Sequence, residues 1–274
     1  MVFLTGRPLT ERGRCTLGRE TAIQEIEWLD DGWIYLKHGG NEPGESVEIN
    51  EFREIPIEPA TEKDDFDSPL VDINFQSLRI PIDEEWLNLS ARHGFLRLYG
   101  RESLSSFHYQ SLIARRIQDF HIEASTCLEF NPKTFQQMAG LVLYYNTSHY
   151  YYLYVSTNNH GSSKHINIIS CDKFITTEPL SLPVEIETTS RIYLKAELSK
   201  ADLQFSYSLE IENQWKNIGP VLDGSILSDD YVKDENNRYR PAFTGAFAGL
   251  CCQDLSGQNV YADFDWFRYK EIKH

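Results

Sequence analysis

The sequence predicts an all-β protein, a two-layer sandwich of antiparallel strands. Its 274 residues include 15 tyrosines and 15 phenylalanines, and aromatic and β-branched residues favour strands. Short stretches in which apolar and polar residues alternate recur between turn signals, whereas no long stretch has the 3.6-residue apolar period of a helix. Many short strands separated by turns are typical of a sandwich.

The first 36 residues predict an isolated hairpin. Residues 22–27 alternate as a strand, Asp30-Asp31-Gly32 forms a turn, and residues 33–36 form the return strand. Because a lone hairpin is marginally stable in water, this one needs a partner sheet. Residues 37–63 are rich in glycine, proline and glutamate, which predicts an extended linker.

The main domain begins at Asp64 and consists of short alternating strands. The strands are expected at residues 95–99, 112–116, 121–130, 137–145, 149–156, 166–169, 191–198, 203–209, 245–252 and 261–269. Only residues 83–87 and 225–227 suggest single helical turns.

The strongest strand signal runs from Phe135 to Ser156 and predicts a hairpin with a polar turn at residues 146–148. Both of its faces are largely apolar, which favours a place inside a two-layer sandwich. Its tyrosines either pack with their hydroxyls at the rim or form a platform on which sugars stack. They are Tyr144, Tyr145, Tyr150, Tyr151, Tyr152 and Tyr154.

Composition disfavours several classes of function. The net charge is −15 and the isoelectric point is about 5.0, so we expect no nucleic-acid partner and no anionic membrane partner, since both need basic patches. The five cysteines are odd in number and form no CxxC pair, which argues against a disulfide framework or a zinc site. No secretion signal or long apolar run is visible, so a cytoplasmic location is expected.

The carboxylate pairs show no catalytic pattern. A glycosidase needs two carboxylates that flank the scissile bond from separate elements, whereas the pairs in this chain are local in sequence. Glu84/Glu85 and Asp229/Asp230 are therefore expected to be solvated surface groups. The histidines are scattered, and neither a metal-binding HExxH nor a GxSxG nucleophile motif occurs.

Two further aspartate pairs predict a candidate metal site. Asp263 and Asp265 lie two residues apart on one strand and are expected to share a face, with Phe264 and Trp266 on the other. Asp65 and Asp67 have the same spacing at the start of the domain, and the first and last strands of a sandwich often pair. Four carboxylates brought together could hold a structural Ca²⁺ ion. The alternative is that they are rim carboxylates that accept hydrogen bonds from turn amides.

Several long motifs resemble the C-terminal half of the β-xylosidases of glycoside hydrolase family 43. They are LTGRPL and GRCTLGRETAIQ within residues 4–24, DDFDSP at 64–69, FLRLYGRESLSS at 95–106, FQQMAGLVLYYNT at 135–147, FTGAFAGLCCQDLSG at 243–257 and ADFDWFRY at 262–269. The resemblance implies a concanavalin A-like jelly-roll sandwich at residues 64–274. Residues 1–36 would be the remnant of a catalytic β-propeller, and residues 37–63 would connect the two.

The resemblance implies an accessory role for this chain. In that family the catalytic carboxylates lie on propeller blades upstream of anything present here, so residues 1–274 alone are expected to be inactive and to require no cofactor. The implied partners are the catalytic propeller, a xylo-oligosaccharide substrate and further copies in a homo-oligomer. The alternatives are a free-standing carbohydrate-binding module, a subunit that complements a separately encoded propeller, and a broken reading frame. The sequence does not separate xylosidase from arabinofuranosidase specificity.

Two residues are expected to contact substrate in a complete enzyme. Arg19 matches a family arginine that reaches the active-site pocket; its alternative is an ion pair with Glu20 or Glu25. Phe243 matches a sandwich-loop aromatic that the family projects towards the pocket mouth. Its alternative is a core position, with Phe247 as an equally apolar candidate.

Overall fold

The computed structural model describes residues 1–11, 13–48, 53, 55–56, 58–158, 161, 163–186, 190–209, 212, 214–233 and 242–272. The strands are β1 (Val2–Thr5), β2 (Glu20–Ile23), β3 (Ile26–Trp28), β4 (Ile34–Leu36), β5 (Lys63–Asp64), β6 (Phe75–Ser77), β7 (Leu87–Asn88), β8 (Leu96–Tyr99), β9 (Ser111–Arg116), β10 (His121–Phe130), β11 (Gln137–Asn146), β12 (His149–Thr157), β13 (Lys164–Asp172), β14 (Ile175–Thr177), β15 (Val184–Ile186), β16 (Ile192–Ser199), β17 (Asp202–Ser208), β18 (Lys216–Asp223), β19 (Phe247–Asp254) and β20 (Tyr261–Glu271). A 3-10 turn at Gly224–Ile226 precedes the single helical turn α1 (Asp229–Val232).

Two eight-stranded sheets form the sandwich, and their strand ladders are antiparallel. The first sheet has the order β18-β17-β16-β10-β20-β8-β7, and β5 pairs with β20. The second sheet has the order β14-β13-β12-β11-β19-β9-β6, and β15 pairs with β13. This architecture confirms the all-β sandwich that the alternating strands predict. No helix in the described part of the chain is long and apolar enough to cross a membrane.

The main core lies between the two sheets. Strand alternation sends Leu141 and Leu143 of β11 into this core, which also contains Phe205 and Phe264 from the first sheet. These side chains are fully buried, as expected for the inner faces of two packed sheets.

The outer face of the second sheet is also closed. An apolar layer there contains Leu104 and four of the hairpin tyrosines, and Leu78 and Met138 pack against it. These are Tyr144, Tyr150, Tyr152 and Tyr154, while Tyr145 and Tyr151 face the main core. All six are buried, so packing is confirmed and the sugar platform is wrong. The hydroxyls of Tyr144 and Tyr152 are buried as well, so the expectation that the hydroxyls lie at the rim is wrong for these two.

The N-terminal region forms two hairpins rather than one. Strand β2 pairs with β1, whereas β3 pairs with β4, so the single strand predicted at residues 22–27 is wrong. The strands are separated at Gln24, whose buried side chain donates from Nε2 to the Gly44 carbonyl oxygen at 2.7 Å. A tertiary contact thus overrides the local alternation.

Candidate functional site

Residues 14–19 are built into the sandwich. Leu17 is buried in the main core. The backbone before Leu17 is hydrogen-bonded to the sandwich. The Cys15 carbonyl accepts from the Asp229 amide at 3.2 Å, and the Thr16 carbonyl accepts from the Ala246 amide at 2.8 Å. The Arg116 guanidinium donates to the carbonyl oxygens of Leu17 and Arg19. The sandwich therefore fixes the backbone that carries Arg19.

Two glycines allow this segment to approach the loop at residues 242–246. Gly18 and Gly245 have φ angles of +73° and +70°, a region that side chains disfavour. A Cβ atom on Gly18 would lie 2.4 Å from the Gly245 amide nitrogen, and one on Gly245 would lie 2.5 Å from the Leu17 carbonyl carbon. The two segments touch backbone to backbone, and this contact brings Arg19 next to Phe243.

Arg19 lies between a carboxylate and an aromatic ring. Its Nη1 is 3.4 Å from Asp229 Oδ2, and its guanidinium carbon lies 5.3 Å from the centre of the Phe243 ring. Its amide donates to the Phe243 carbonyl at 3.2 Å. The expected alternative partners are engaged elsewhere, since Glu20 pairs with Arg7 and Glu25 with Lys37. The side chain is 32% exposed, so part of the guanidinium faces solvent.

Phe243 is a surface residue with 54% of its area exposed. Phe247, which the sequence left as an equal candidate, begins β19 and packs against the outer tyrosine layer. The structure therefore separates the two phenylalanines, with Phe243 on a loop and Phe247 in a packed position. Contact between Phe243 and substrate stays a prediction.

The expectation of solvated surface groups is wrong for Asp229, which is buried, whereas Asp230 is exposed as expected. Asp230 accepts hydrogen bonds from the backbone amides of Arg14 and Cys15 at 2.6 and 2.8 Å. Partial burial opposes ionisation, but these hydrogen bonds outweigh it and lower the pKa of Asp230. Asp229 is almost fully buried, and its Oδ1 accepts from the Tyr145 hydroxyl at 2.7 Å.

Sequence reasoning missed Asp229 because its partners are remote in the chain. Tyr145 lies 84 positions away, and Arg19 comes from the other end of the sequence. No local spacing or motif distinguishes this aspartate from a solvated one. Only the tertiary arrangement reveals it.

Three of the four aspartates expected to hold calcium form ion pairs with arginine or lysine. The Arg97 guanidinium donates to both oxygens of Asp263 at 2.7 and 2.8 Å, and this contact raises the pKa of Arg97. Asp265 pairs with Arg191 at 3.1 Å. Asp65 pairs with Lys63 at 2.5 Å, and Asp67 lies 3.9 Å from His93.

These pairs do not assemble into one carboxylate cluster. Within the described ranges, no group of three or more histidine, cysteine, aspartate or glutamate side chains is arranged to hold a metal ion. The premise that Asp65, Asp67, Asp263 and Asp265 converge is therefore not met, and lysine or arginine side chains instead pair with Asp65, Asp263 and Asp265. Calcium binding to this protein stays a prediction.

A β-bulge in β20 changes which side chains share a face. The register against β10 shifts between Cys127 and Leu128, and Asp265 is the extra residue. Phe264 consequently faces the main core, while Trp266 packs with Cys127 on the other side of the sheet. The expectation that Phe264 and Trp266 share a face is wrong.

Comparisons with known proteins agree on a family. The model of the β-xylosidase C-terminal concanavalin A-like domain matches residues 63–270. The chain is 40% identical over 281 residues to a β-xylosidase of Bacillus subtilis (strain 168), with 99% of this chain and 51% of that protein covered. It is 38% identical over 277 residues to xylosidase/arabinosidase 43B of Humicola insolens, with 100% and 50% covered.

A solved structure shows the same fold. The crystal structure of a xylan β-1,4-xylosidase from Bacillus halodurans C-125 superposes with a TM-score of 0.92 at 42% identity. The match covers 98% of this chain and 50% of that one. The chain therefore spans about half the length of the relatives it matches.

Proposed function

The chain belongs to the family of β-xylosidase C-terminal concanavalin A-like domains, and from that membership we propose that it is the accessory half of a glycosidase acting on xylo-oligosaccharides. Residues 64–274 form the sandwich, residues 37–63 the connection, and residues 1–36 a contribution to the catalytic propeller, of which residues 14–19 also pack into the sandwich. The acid and base carboxylates come from the other half, so residues 1–274 alone do not hydrolyse xylosides.

The apolar surface of the N-terminal hairpins is the observation that most directly supports this role. Leu4, Trp28, Trp33 and Ile34 expose between 43% and 72% of their areas on β1, β3, β4 and the β3–β4 turn. Trp28 and Ile34 are cross-strand neighbours on β3 and β4, and exposed large apolar side chains on such strands are expected where another protein element covers them. A catalytic half supplies the strands and the apolar cover that these two-stranded sheets lack.

In the complete enzyme, Arg19 and Phe243 shape the entrance to the sugar pocket. A guanidinium can donate several hydrogen bonds to sugar hydroxyls and can stabilise a neighbouring carboxylate. An aromatic ring at the mouth narrows the pocket and offers a face to the sugar. Inverting hydrolysis needs room for a water molecule between the acid and base carboxylates. A closed pocket that holds the sugar in a fixed position relative to these groups aids the reaction, so residues 1–274 can contribute without transferring a proton.

A chimaera tests the proposal. Residues 1–274 replace the matched half of the Bacillus subtilis β-xylosidase, and hydrolysis of 4-nitrophenyl β-xyloside is measured for the chimaera and for residues 1–274 alone. We expect turnover by the chimaera only. Turnover by residues 1–274 alone, or an inactive chimaera that folds and is stable, contradicts the accessory role.

Phe243→Ala in the chimaera tests the entrance, with Phe135→Ala as its matched control. Phe135 has the same 54% exposure but precedes β11, at the opposite end of that strand from Tyr145, which contacts Asp229. The first change should lower kcat/KM by about tenfold, equivalent to about 1.4 kcal/mol, without changing thermal stability. Equal kinetics for the two variants would refute a role for Phe243.

Retardation on a xylan gel separates the accessory role from a free-standing binding module. Because the hairpin tyrosines are buried, residues 1–274 should migrate equally with and without xylan. We also propose that the complete enzyme is a homo-oligomer, which analytical ultracentrifugation of the chimaera would test.

A further inference from the structure

A buried carboxylate lies where three segments of the candidate site meet. Asp229 begins α1, and its side chain is 2% exposed. We propose that Asp229 is a positioning residue that holds the Arg19 guanidinium against the face of Phe243. The consequence for catalysis rests on the proposed function, whereas the positioning itself is a property of this chain.

The two oxygens of Asp229 have different surroundings. Oδ1 accepts from the Tyr145 hydroxyl at 2.7 Å and from the Gly245 amide at 3.1 Å. Oδ2 is buried without a hydrogen-bond partner, and the Nη1 atom of Arg19 lies 3.4 Å from it. A buried carboxylate is costly unless a cation compensates its charge. The uncompensated oxygen therefore draws the guanidinium to this position.

The same carboxylate also fixes the loop that carries the aromatic ring. Gly245 follows Phe243 by two residues, so the hydrogen bond from its amide ties the loop that carries Phe243 to Asp229. Tyr145, near the end of β11, anchors Oδ1 from the sheet side. One side chain thus sets both members of the Arg19–Phe243 contact, whose separation is 5.3 Å.

An isosteric substitution separates charge from shape. In Asp229→Asn, the amide oxygen can still accept from Tyr145 and Gly245, so the loop keeps its anchor. The amide nitrogen then faces Arg19 in place of Oδ2, and two donors oppose each other. Arg19 should be released while the fold persists. Tyr145→Phe is the matched control, because it removes a hydrogen bond to the same carboxylate and leaves the charge.

The release can be measured on residues 1–274 with phenylglyoxal, which modifies accessible arginines. Peptide mass spectrometry follows Arg19, with Arg7 as the internal reference. We expect Asp229→Asn to speed Arg19 modification about fivefold, the factor equivalent to about 1 kcal/mol, while Tyr145→Phe leaves it near the wild-type rate. An unchanged Arg19 rate in folded Asp229→Asn overturns the proposal.

A second measurement decides the matter if Asp229→Asn does not fold. Arg19→Ala leaves the buried Asp229 carboxylate without its cation, whereas Arg7→Ala removes an exposed pair with Glu20. The urea midpoint should fall further for Arg19→Ala than for Arg7→Ala. Equal midpoints overturn the proposal.

Kinetics in the chimaera distinguish positioning from stability alone. Asp229→Asn should lower kcat/KM in the wild-type background and have no further effect in the Arg19→Ala background, since the two residues act as a unit. A full additional loss in the double variant contradicts action through Arg19. If Arg19→Ala itself leaves turnover unchanged, the substrate role proposed for Arg19 fails, while the modification rates still decide the positioning role.

Discussion

Gly245→Ala should destabilise the protein more than a glycine substitution at an equally left-handed but open position. Gly245 has a φ of +70°, and a Cβ atom there meets the backbone of Leu17 at 2.5 Å. Gly257 has a φ of +71°, and a Cβ atom there meets nothing within 4 Å. The pair separates the cost of backbone conformation from the cost of the clash.

The magnitudes follow from these two surroundings. A left-handed alanine costs about 1–2 kcal/mol at either position. At Gly245 the neighbouring backbone must also move and shift the buried Leu17 side chain, whose burial is worth about 1.5–3 kcal/mol. We therefore expect Gly245→Ala to cost about 1.5–3 kcal/mol more than Gly257→Ala.

Urea unfolding followed by tryptophan fluorescence measures both variants against the wild-type chain. The prediction requires a clearly lower free energy of unfolding for Gly245→Ala. If the two variants lose the same stability, then residues 14–19 do not depend on the close contact between Gly18 and Gly245.

Four further outcomes are expected. Asp263→Asn should cost about 1–3 kcal/mol because the buried Asp263 carboxylate is the partner of the partly exposed Arg97 guanidinium. Asp65→Asn should cost below about 1 kcal/mol because its pair with Lys63 is largely exposed, and urea unfolding compares the two variants. Burial raises the pKa of Cys251 to about 12. Ellman's reagent should therefore react first with the partly exposed Cys15, and with Cys251 only in denaturant. A reaction at Cys251 in the native protein contradicts this prediction. The lowered pKa of Asp230 stabilises the fold above about pH 4, and this contribution disappears as pH falls through the lowered value. The stability difference between wild type and Asp230→Asn should therefore shrink in acid, as urea titrations across pH would show. If the protein binds calcium, its melting temperature should be higher in calcium than in EDTA. Equal melting temperatures would argue against calcium binding.

The sequence predicts the sandwich because the positions at which apolar residues recur along the strands are the positions that are buried in the fold. The run from Phe135 to Ser156 is largely apolar on both faces, and its tyrosines pack on both faces of the second sheet. Where a tertiary contact interrupts the alternation, local reasoning fails. The buried Gln24 side chain separates β2 from β3, and the bulge at Asp265 moves Trp266 to the opposite face from Phe264.

The candidate site likewise contains residues that the sequence identifies and one that it does not. Resemblance to a family indicates Arg19 and Phe243, and the structure places them in contact. Asp229 could not be found from the sequence, because a second aspartate follows it and its partners lie far away in the chain. Pairing between remote residues leaves no trace in local spacing.

The position of Leu17 affects how this domain should be cut for separate expression. The family match begins at residue 63, and the first paired strand of the sandwich is β5 at the same place. A protein trimmed to that boundary would lack Leu17, which lies within the core 46 residues earlier and is 1% exposed. Trimming at residue 63 would leave a cavity the size of a leucine side chain in the core and would expose the loop at residues 242–246. An expression boundary upstream of residue 14 keeps the core filled.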